Sequence, residues 1–480
     1  MSDDSIPTTL AGRLRTLIAG LSVGDRLPSS RDLVREHGVS PVTVTRAIAL
    51  LASEGLVVTR PGSGTYVAAR RGTGGGFGGA ENPGGAVFSG DTAWQTVALT
   101  DRAVDTRPVT DALGPPPPGT LLLDGGYLHR SLQPTRALAA ALARAARRPD
   151  AWDRTPTSGL EPLRAVFARG VGGGVQPEDV LITAGGQNAL SMAFRAIAAP
   201  GAPVLVESPT YSGAVAAARA AGLRPLPVPI DDQGLRPDLL AEAFARSGAR
   251  LMYCQPTYQN PTGVVLAPER RRRVVEVARA AGAFIVEDDF ARLLGHGTPV
   301  PPPLVAEDRD GTVVSLTSLS KPGAPSLRIG ALVARGPVME RMRAVRQVDD
   351  FFVTRPLQET AVELTSAPGW ARHLRALSAA LRERCVTLAA ALEAEIPEWR
   401  VSRLPSGGLH LWARLGPGED DAVLAAAARR HGVSVSPGNR YFAAEPPAPF
   451  LRLGFAAVAD RTELREAVRR LAAARREVMG

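Results

Sequence analysis

The sequence predicts two folds in one chain: a compact unit of short helices and a small hairpin in the first seventy residues, then a long α/β domain. Three observations predict it. Helix caps and a tight turn between residues 28 and 67 are spaced for helix, turn, helix and hairpin, a winged helix-turn-helix. Beyond residue 120, apolar runs of strand length alternate with helical patterns, the order of βαβ units on a mostly parallel sheet. Between them, "RRGTGGGFGGAENPGGAVFSG" and "GPPPPG" hold too few apolar anchors to offset their ordering entropy. We therefore expect domains at 1–69 and 121–480 and a Gly/Pro-rich linker at 70–120.

Bulk properties bound the function. At 480 residues the chain exceeds one typical core. No uncharged run of eighteen apolar residues and no basic, then apolar leader occur, so no membrane partner and a cytoplasmic location are expected. Two cysteines, Cys254 and Cys385, are too few for a disulfide framework. The six histidines are scattered singly, so no metal site is expected. A net charge of +9 is compatible with an anionic partner but equally with an ordinary solvated surface.

In the first domain, Ser29 or Ser30 can cap a helix through "RDLVREH" that stops at Gly38. Ser40 is a second N-cap, with Pro41 at the first helical position, where its missing N–H costs nothing, and the helix runs to Glu54 before Gly55. Val44, Ile48, Leu51 and Leu56 supply the buried stripe, which leaves Thr43, Thr45 and Arg46 outside. "LVVTR", "PGSG" and "TYVA" read as two strands about a turn. Such a module offers Thr43, Thr45 and Arg46 to base edges and Ser29, Arg31 and Arg60 to phosphates. Against this, residues 1–70 hold eight Arg and six Asp/Glu, a weak basic balance, and many such units bind only protein.

The linker's Gly74, Gly76 and Gly79 formally satisfy a dinucleotide-binding pattern. With no strand before and no helix after, it is composition only.

In the second domain one residue stands apart. Of 56 lysines and arginines, Lys321 is the single lysine. Guanidinium stays protonated, whereas an amine can shed its proton and act as a nucleophile, so position 321 asks for covalent chemistry. A Schiff base with pyridoxal 5'-phosphate (PLP) is the leading reading. That cofactor needs a phosphate cradle, a ring partner, a carboxylate at the pyridine nitrogen and a donor to the phenolic oxygen. "TAGGQNAL" offers Gly185, Gly186 and Gln187 at a helix start. "ESPTYSG" offers Tyr211, "QPTYQNPTG" Asn260 and "FIVEDDF" Asp288, while "SLSKPGAPSLRIG" holds Ser318, Lys321 and Arg328. Each fragment alone is weak, but all lie at the carboxyl ends of expected strands, where open α/β sheets bind ligands.

Residues 27–67 resemble the winged helix of GntR-type transcription regulators. Residues from about 121 to 480 resemble fold type I, aspartate-aminotransferase-like PLP enzymes with large and small lobes. The combination is similar to the MocR subgroup of bacterial regulators. The resemblance implies that Lys321 holds the cofactor, Asp288 pairs with the pyridine nitrogen, Asn260 with the ring oxygen, and Tyr211 stacks. Gly186, Gln187, Ser318 and Arg328 would hold phosphate, and Arg452 in "FLRLGFA" would grip a ligand carboxylate. It also implies a head-to-tail homodimer, DNA of the protein's own promoter region as a partner, and an amine, amino acid or PLP as the signal. Three positions depart from the pattern: Phe290 replaces a common tyrosine, Arg154 stands where aminotransferases favour tyrosine, and Gly213 replaces an arginine of some members. A working aminotransferase with an accessory DNA-binding module is the alternative.

Overall fold

The computed structural model describes residues 5–19, 21, 25–53, 56–60, 64–67, 95, 98 and 117–480. The predicted wing turn at 61–63, Glu54, Gly55, Gly74, Gly76, Gly79 and nearly all of the linker lie outside the described residues, as do the side chains of Arg31 and Arg60. The chain divides into two compact units, Met1–Ala103 and Val104–Gly480.

In the first unit, α1 (Ser5–Ala19), α2 (Ser30–His37) and α3 (Pro41–Ser53) precede β1 (Val57–Arg60) and β2 (Gly64–Val67). Of the two candidate caps, Ser29 is the one used: its Oγ accepts from the Asp32 N–H, while Gly38 takes the left-handed conformation that ends the helix. Ser40 caps α3 by accepting from the Thr43 N–H at 3.2 Å. Sequence reasoning missed α1, whose Leu10, Ala11, Leu14 and Ile18 bury at helical spacing against Val44, Ala47 and Leu51. Of the expected stripe, Val44 and Leu51 are buried, and Ile48 and Leu56 pack at its edge. The wing is antiparallel, Val57 opposite Val67, and gains a third member where Leu27 and Val67 donate backbone bonds to Thr65 and Asp25.

The second unit opens with β3 (Leu121–Leu122). Its main sheet holds β4 (Val180–Thr183), β5 (Pro203–Ser208), β6 (Arg224–Asp231), β7 (Gly234–Leu235), β8 (Leu251–Cys254), β9 (Phe284–Asp288), β10 (Val313–Ser318) and β11 (Gly330–Val333). The order is β4-β11-β10-β9-β8-β5-β6-β7. The five strands from β10 to β6 pair parallel, whereas β11 runs antiparallel to both neighbours and β7 to β6. Both faces are buried, and side chains alternate between them as the strand period requires: Val180, Ile182, Met252 and Ile285 enter one core, and Leu181, Leu251, Tyr253 and Val286 the other.

The smaller sheet comprises β12 (Arg400–Val401), β13 (His410–Arg414), β15 (Ser436–Pro437) and β16 (Phe450–Gly454), while β14 (Val433–Ser434) pairs parallel with β3. Its apolar face, with Leu411, Ala413, Leu451 and Leu453, packs into a core completed by the helices Pro368–Glu395 and Arg461–Met479. None of the described helices is long and apolar enough to cross a membrane, and no metal-holding group of three or more His, Cys, Asp or Glu occurs among the described residues.

Candidate functional site

The carboxyl ends of the parallel strands build the site. Asp288 ends β9 fully inside the protein. Tyr253 and Gln255, from and just beyond β8, donate to its Oδ2 at 2.7 and 3.0 Å. Its Oδ1 is buried with no partner. Burial pushes this carboxyl up to about 6, against the bonds from Tyr253 and Gln255 and the charge of Lys321. A carboxylate held by one oxygen and open at the other fits a protonated ring nitrogen.

Lys321 follows β10. Its amine donates to the Gly126 carbonyl at 2.6 Å and lies 3.8 Å from the centre of the Tyr127 ring. Burial, then Arg452, pulls its pKa down to about 7, with Arg328 adding and Asp288 opposing. At neutral pH a large share of the amine is therefore unprotonated and nucleophilic.

The segment expected to hold phosphate lies where β4 turns into the helix Gly186–Ile197. Gly185 stands before it at φ 90°, and a Cβ there would come 2.8 Å from Arg328 Nη2. Arg328 donates to the Ala184 carbonyl at 2.7 Å. Gly186 faces Leu316 and Ser318, and Ser318 Oγ accepts from the Ser320 N–H. The positive φ at 185 favours glycine, and neither glycine puts a side chain over this helix start, where an anion would meet backbone N–H groups. Gln187 sits here too, but its side chain turns away: its amide donates to the Gly213 carbonyl at 3.0 Å and accepts from Tyr211 Oη at 3.2 Å. Tyr211 rests on Gly213, where a Cβ would lie 2.3 Å from the ring's Cζ. The missing arginine at 213 thus has a local reason, because this pose of Tyr211 needs the space.

Asn260 Oδ1 accepts from Arg452 Nη1 at 3.3 Å, and Arg452 Nη2 donates to the Asp124 carbonyl at 2.5 Å. Tyr441 lies under the guanidinium, 5.2 Å from ring centre to Cζ. Phe290 instead packs against the small-sheet core, and Arg154 is exposed.

Sequence reasoning missed Tyr253 and Gln255, and also the stretch Asp124–Tyr127, whose backbone and ring meet both Arg452 and Lys321. In the first unit, Thr45 and Arg46 are exposed and Thr43 half-buried. The Thr43 hydroxyl lies 2.9 Å from Ser40 Oγ, and that of Thr45 donates to the Pro41 carbonyl. Ser29 Oγ donates to Asp32 at 2.6 Å.

This fold and site define a winged-helix unit joined to a PLP-type α/β unit, and comparison with known proteins agrees. Residues 120–471 match the family model "Aminotransferase class I and II", and residues 8–67 match "Bacterial regulatory proteins, gntR family". A 2-aminoadipate transaminase of Thermus thermophilus is 35% identical over 74% of this chain and 89% of its own. The probable rhizopine catabolism regulatory protein MocR of Rhizobium meliloti is 28% identical over 96% of this chain and 92% of its own. The crystal structure of the Thermus thermophilus α-aminoadipate aminotransferase LysN, complexed with N-(5'-phosphopyridoxyl)-L-leucine, superposes with a TM-score of 0.75 at 32% identity, covering 80% of this chain and 99% of that one. The chain belongs to the aminotransferase class I and II family and carries a GntR-type domain at its amino end, the layout of MocR-type regulators. Its cofactor is pyridoxal 5'-phosphate.

Proposed function

We propose that this GntR-type regulator binds DNA through its winged helix and reads an amine, an amino acid or PLP itself at the site around Lys321, over domains at 1–69 and 121–480 joined by the linker. The observation that carries the sensing half is the pairing of a near-neutral amine at Lys321 with the half-satisfied carboxylate of Asp288. PLP supplies an aldehyde and an electron-withdrawing ring. The chain supplies the rest: Lys321 gives the amine, and Asp288, held by Tyr253 and Gln255, accepts from the ring nitrogen. Gly185, Gly186, Ser318 and Arg328 take the phosphate. Gln187 fixes Tyr211 against the ring's face, and Asn260 gives the ring oxygen a donor. Arg452 takes a ligand carboxylate once it releases Asp124. A ligand shifts DNA binding only through unequal affinity for two states of the chain.

The winged helix carries the other half, with Arg46 and Thr45 on the open face of α3 for base edges, Thr43 beside them, and Ser29, Arg31 and Arg60 for phosphates. A homodimer fits an apolar patch in the large unit: Trp152, Val348 and Phe351 are 81%, 84% and 68% exposed. The segments bearing Trp152 and Phe351 are tied by the Arg355–Asp150 ion pair and the bond from Thr155 to the Val353 carbonyl.

Purified protein should be yellow, and borohydride reduction should place a pyridoxyl group on the peptide containing Lys321. Lys321→Ala should lose the colour. Gel shifts with DNA upstream of its own gene should show binding that weakens as salt rises. A second reading, an active aminotransferase, is supported by the joint presence of Lys321, Asp288, Asn260 and Arg452 and by the transaminase relative. Turnover of an amino donor with a keto acid, without specific DNA binding, would favour it.

A further inference from the structure

Glu207 has no part in the function proposed above, yet the ends of β5, β8 and β9 are joined through it. It is the next-to-last residue of β5 and only 2% exposed. Side chains alternate along a strand: Leu205 enters one core of the main sheet and Val206 the other, so Glu207 lies on the face of Leu205. On β9, Ile285 enters the first core and Val286 the second, which puts Asp288 on the opposite face. The two carboxyls therefore stand on different sides of the sheet, and Glu207 is placed to act on the site from behind.

One residue links them. Gln255 lies just past β8, where the backbone ladders to β5 and β9 have ended. A side chain takes over there: the Gln255 main-chain N–H donates to Glu207 Oε2 at 3.0 Å. The Gln255 amide then donates to Asp288 Oδ2 at 3.0 Å, and its oxygen accepts from the Asn260 N–H at 3.0 Å. Glu207 is itself held, since Gln259 Nε2 donates to the same Oε2 at 3.3 Å and to the Pro209 carbonyl at 2.7 Å. Gln255, Gln259 and Asn260 are all buried, so no water offers these groups an easy substitute.

A carboxyl is a costly group to bury where an apolar side chain would fill the space. Burial pushes Glu207 up to about 7, against the bonds from Gln255 and Gln259, with Asp288 adding. Oε2 accepts whether or not the other oxygen carries a proton, so the place asks for an acceptor at a fixed reach rather than for charge.

We infer that Glu207 is a positioning residue, whose Oε2 fixes Gln255 and through it the two groups proposed to meet the cofactor ring, Asp288 and Asn260. This rests on the roles proposed above for those two residues.

The test uses the full chain, with PLP as the ligand and the yellow colour of the unsubstituted protein checked first. Glu207→Leu keeps the size and removes the acceptor, which leaves the Gln255 N–H unpaired. PLP affinity, read from the visible band, should fall at least about tenfold. With PLP labelled at the ring nitrogen, NMR should show that atom less protonated in the Leu variant, a change that loss of packing alone does not give. Glu207→Gln, whose amide oxygen still accepts, should bind PLP within about threefold of the unsubstituted protein. Glu207→Asp keeps the acid but draws it back by one methylene, and should bind more weakly than the Gln variant. In a Gln255→Ala background, Glu207→Leu should add less than about twofold. Circular dichroism of the cofactor-free proteins checks the fold, and if the Leu variant does not fold, the order of Gln against Asp decides. Unchanged affinity and ring nitrogen in Glu207→Leu, an Asp variant that binds as well as the Gln variant, or an undiminished Leu effect without the Gln255 side chain each overturn the inference. Colourless unsubstituted protein fails the cofactor reading instead, and this inference with it.

Discussion

Lys321 shows how a buried environment changes the acid–base character of a common side chain. An ordinary lysine, with a pKa near the reference 10.5, keeps its proton at neutral pH, whereas burial and the field of Arg452 bring this one to about 7. PLP uptake by the cofactor-free protein should therefore rise through pH about 7 rather than near 10, as followed by the visible band at successive pH values. The linkage has a definite sign. Between about 7 and 10.5 the unfolded chain holds a proton at this residue that the folded chain has released, so this group's contribution to stability grows as pH rises across that window. A flat uptake profile would contradict the assignment. Lys321 was legible in the sequence because an arginine-rich chain left one position unconverted. Tyr253 and Gln255 were not, because a residue's partner on the neighbouring strand depends on register, and register is settled by the sheet as a whole.

At the scale of elements, short-range signals read well. The serine before α2, Gly38 after it, and the glycines opening the helix at Gly186 act within one or two turns of themselves, so their chemistry is local. α1 was missed although Leu10, Leu14 and Ile18 recur at helical spacing, because sequence reasoning began at the serines before α2. The stretch Asp124–Tyr127 was missed for another reason: its partners are 195 and 328 positions away, at Lys321 and Arg452, and nothing local announces them. Gln187 was read as offering both backbone N–H and side-chain amide to a phosphate from its place at a helix start, but the amide's direction depends on neighbours, here Tyr211 and Gly213. The caps allow a direct check. Ser29→Ala removes the side-chain acceptor of α2 and should cost the winged helix about 1 kcal/mol. Hydrogen exchange of the full chain should show the α2 amides exchanging faster, while loss of cofactor colour in denaturant stays unchanged.

On the scale of the whole molecule, the expected division rested on a glycine- and proline-rich segment lying between two patterns of apolar periodicity, and what each part binds rested on motifs and resemblance. Association with a second copy is another matter, because an apolar patch assembled from residues near 152 and near 350 exists only after folding. Trp152→Glu combined with Phe351→Glu should leave a folded monomer, checked by sedimentation and circular dichroism; an unchanged dimer would place the interface elsewhere. Both substituted sites are exposed, so the cost to folding should be small.

The stretch from Asp124 to Tyr127 has a thermodynamic consequence. Arg452 and Lys321 already hold main-chain carbonyls, so on the proposed reading an arriving carboxylate and amine would exchange places with groups the protein itself provides. Recognition here is a trade between two nearly matched sets of bonds. Its net yield is set by how easily four residues of chain can step aside, which makes a glycine pair at their centre as consequential for sensitivity as any charge in the pocket.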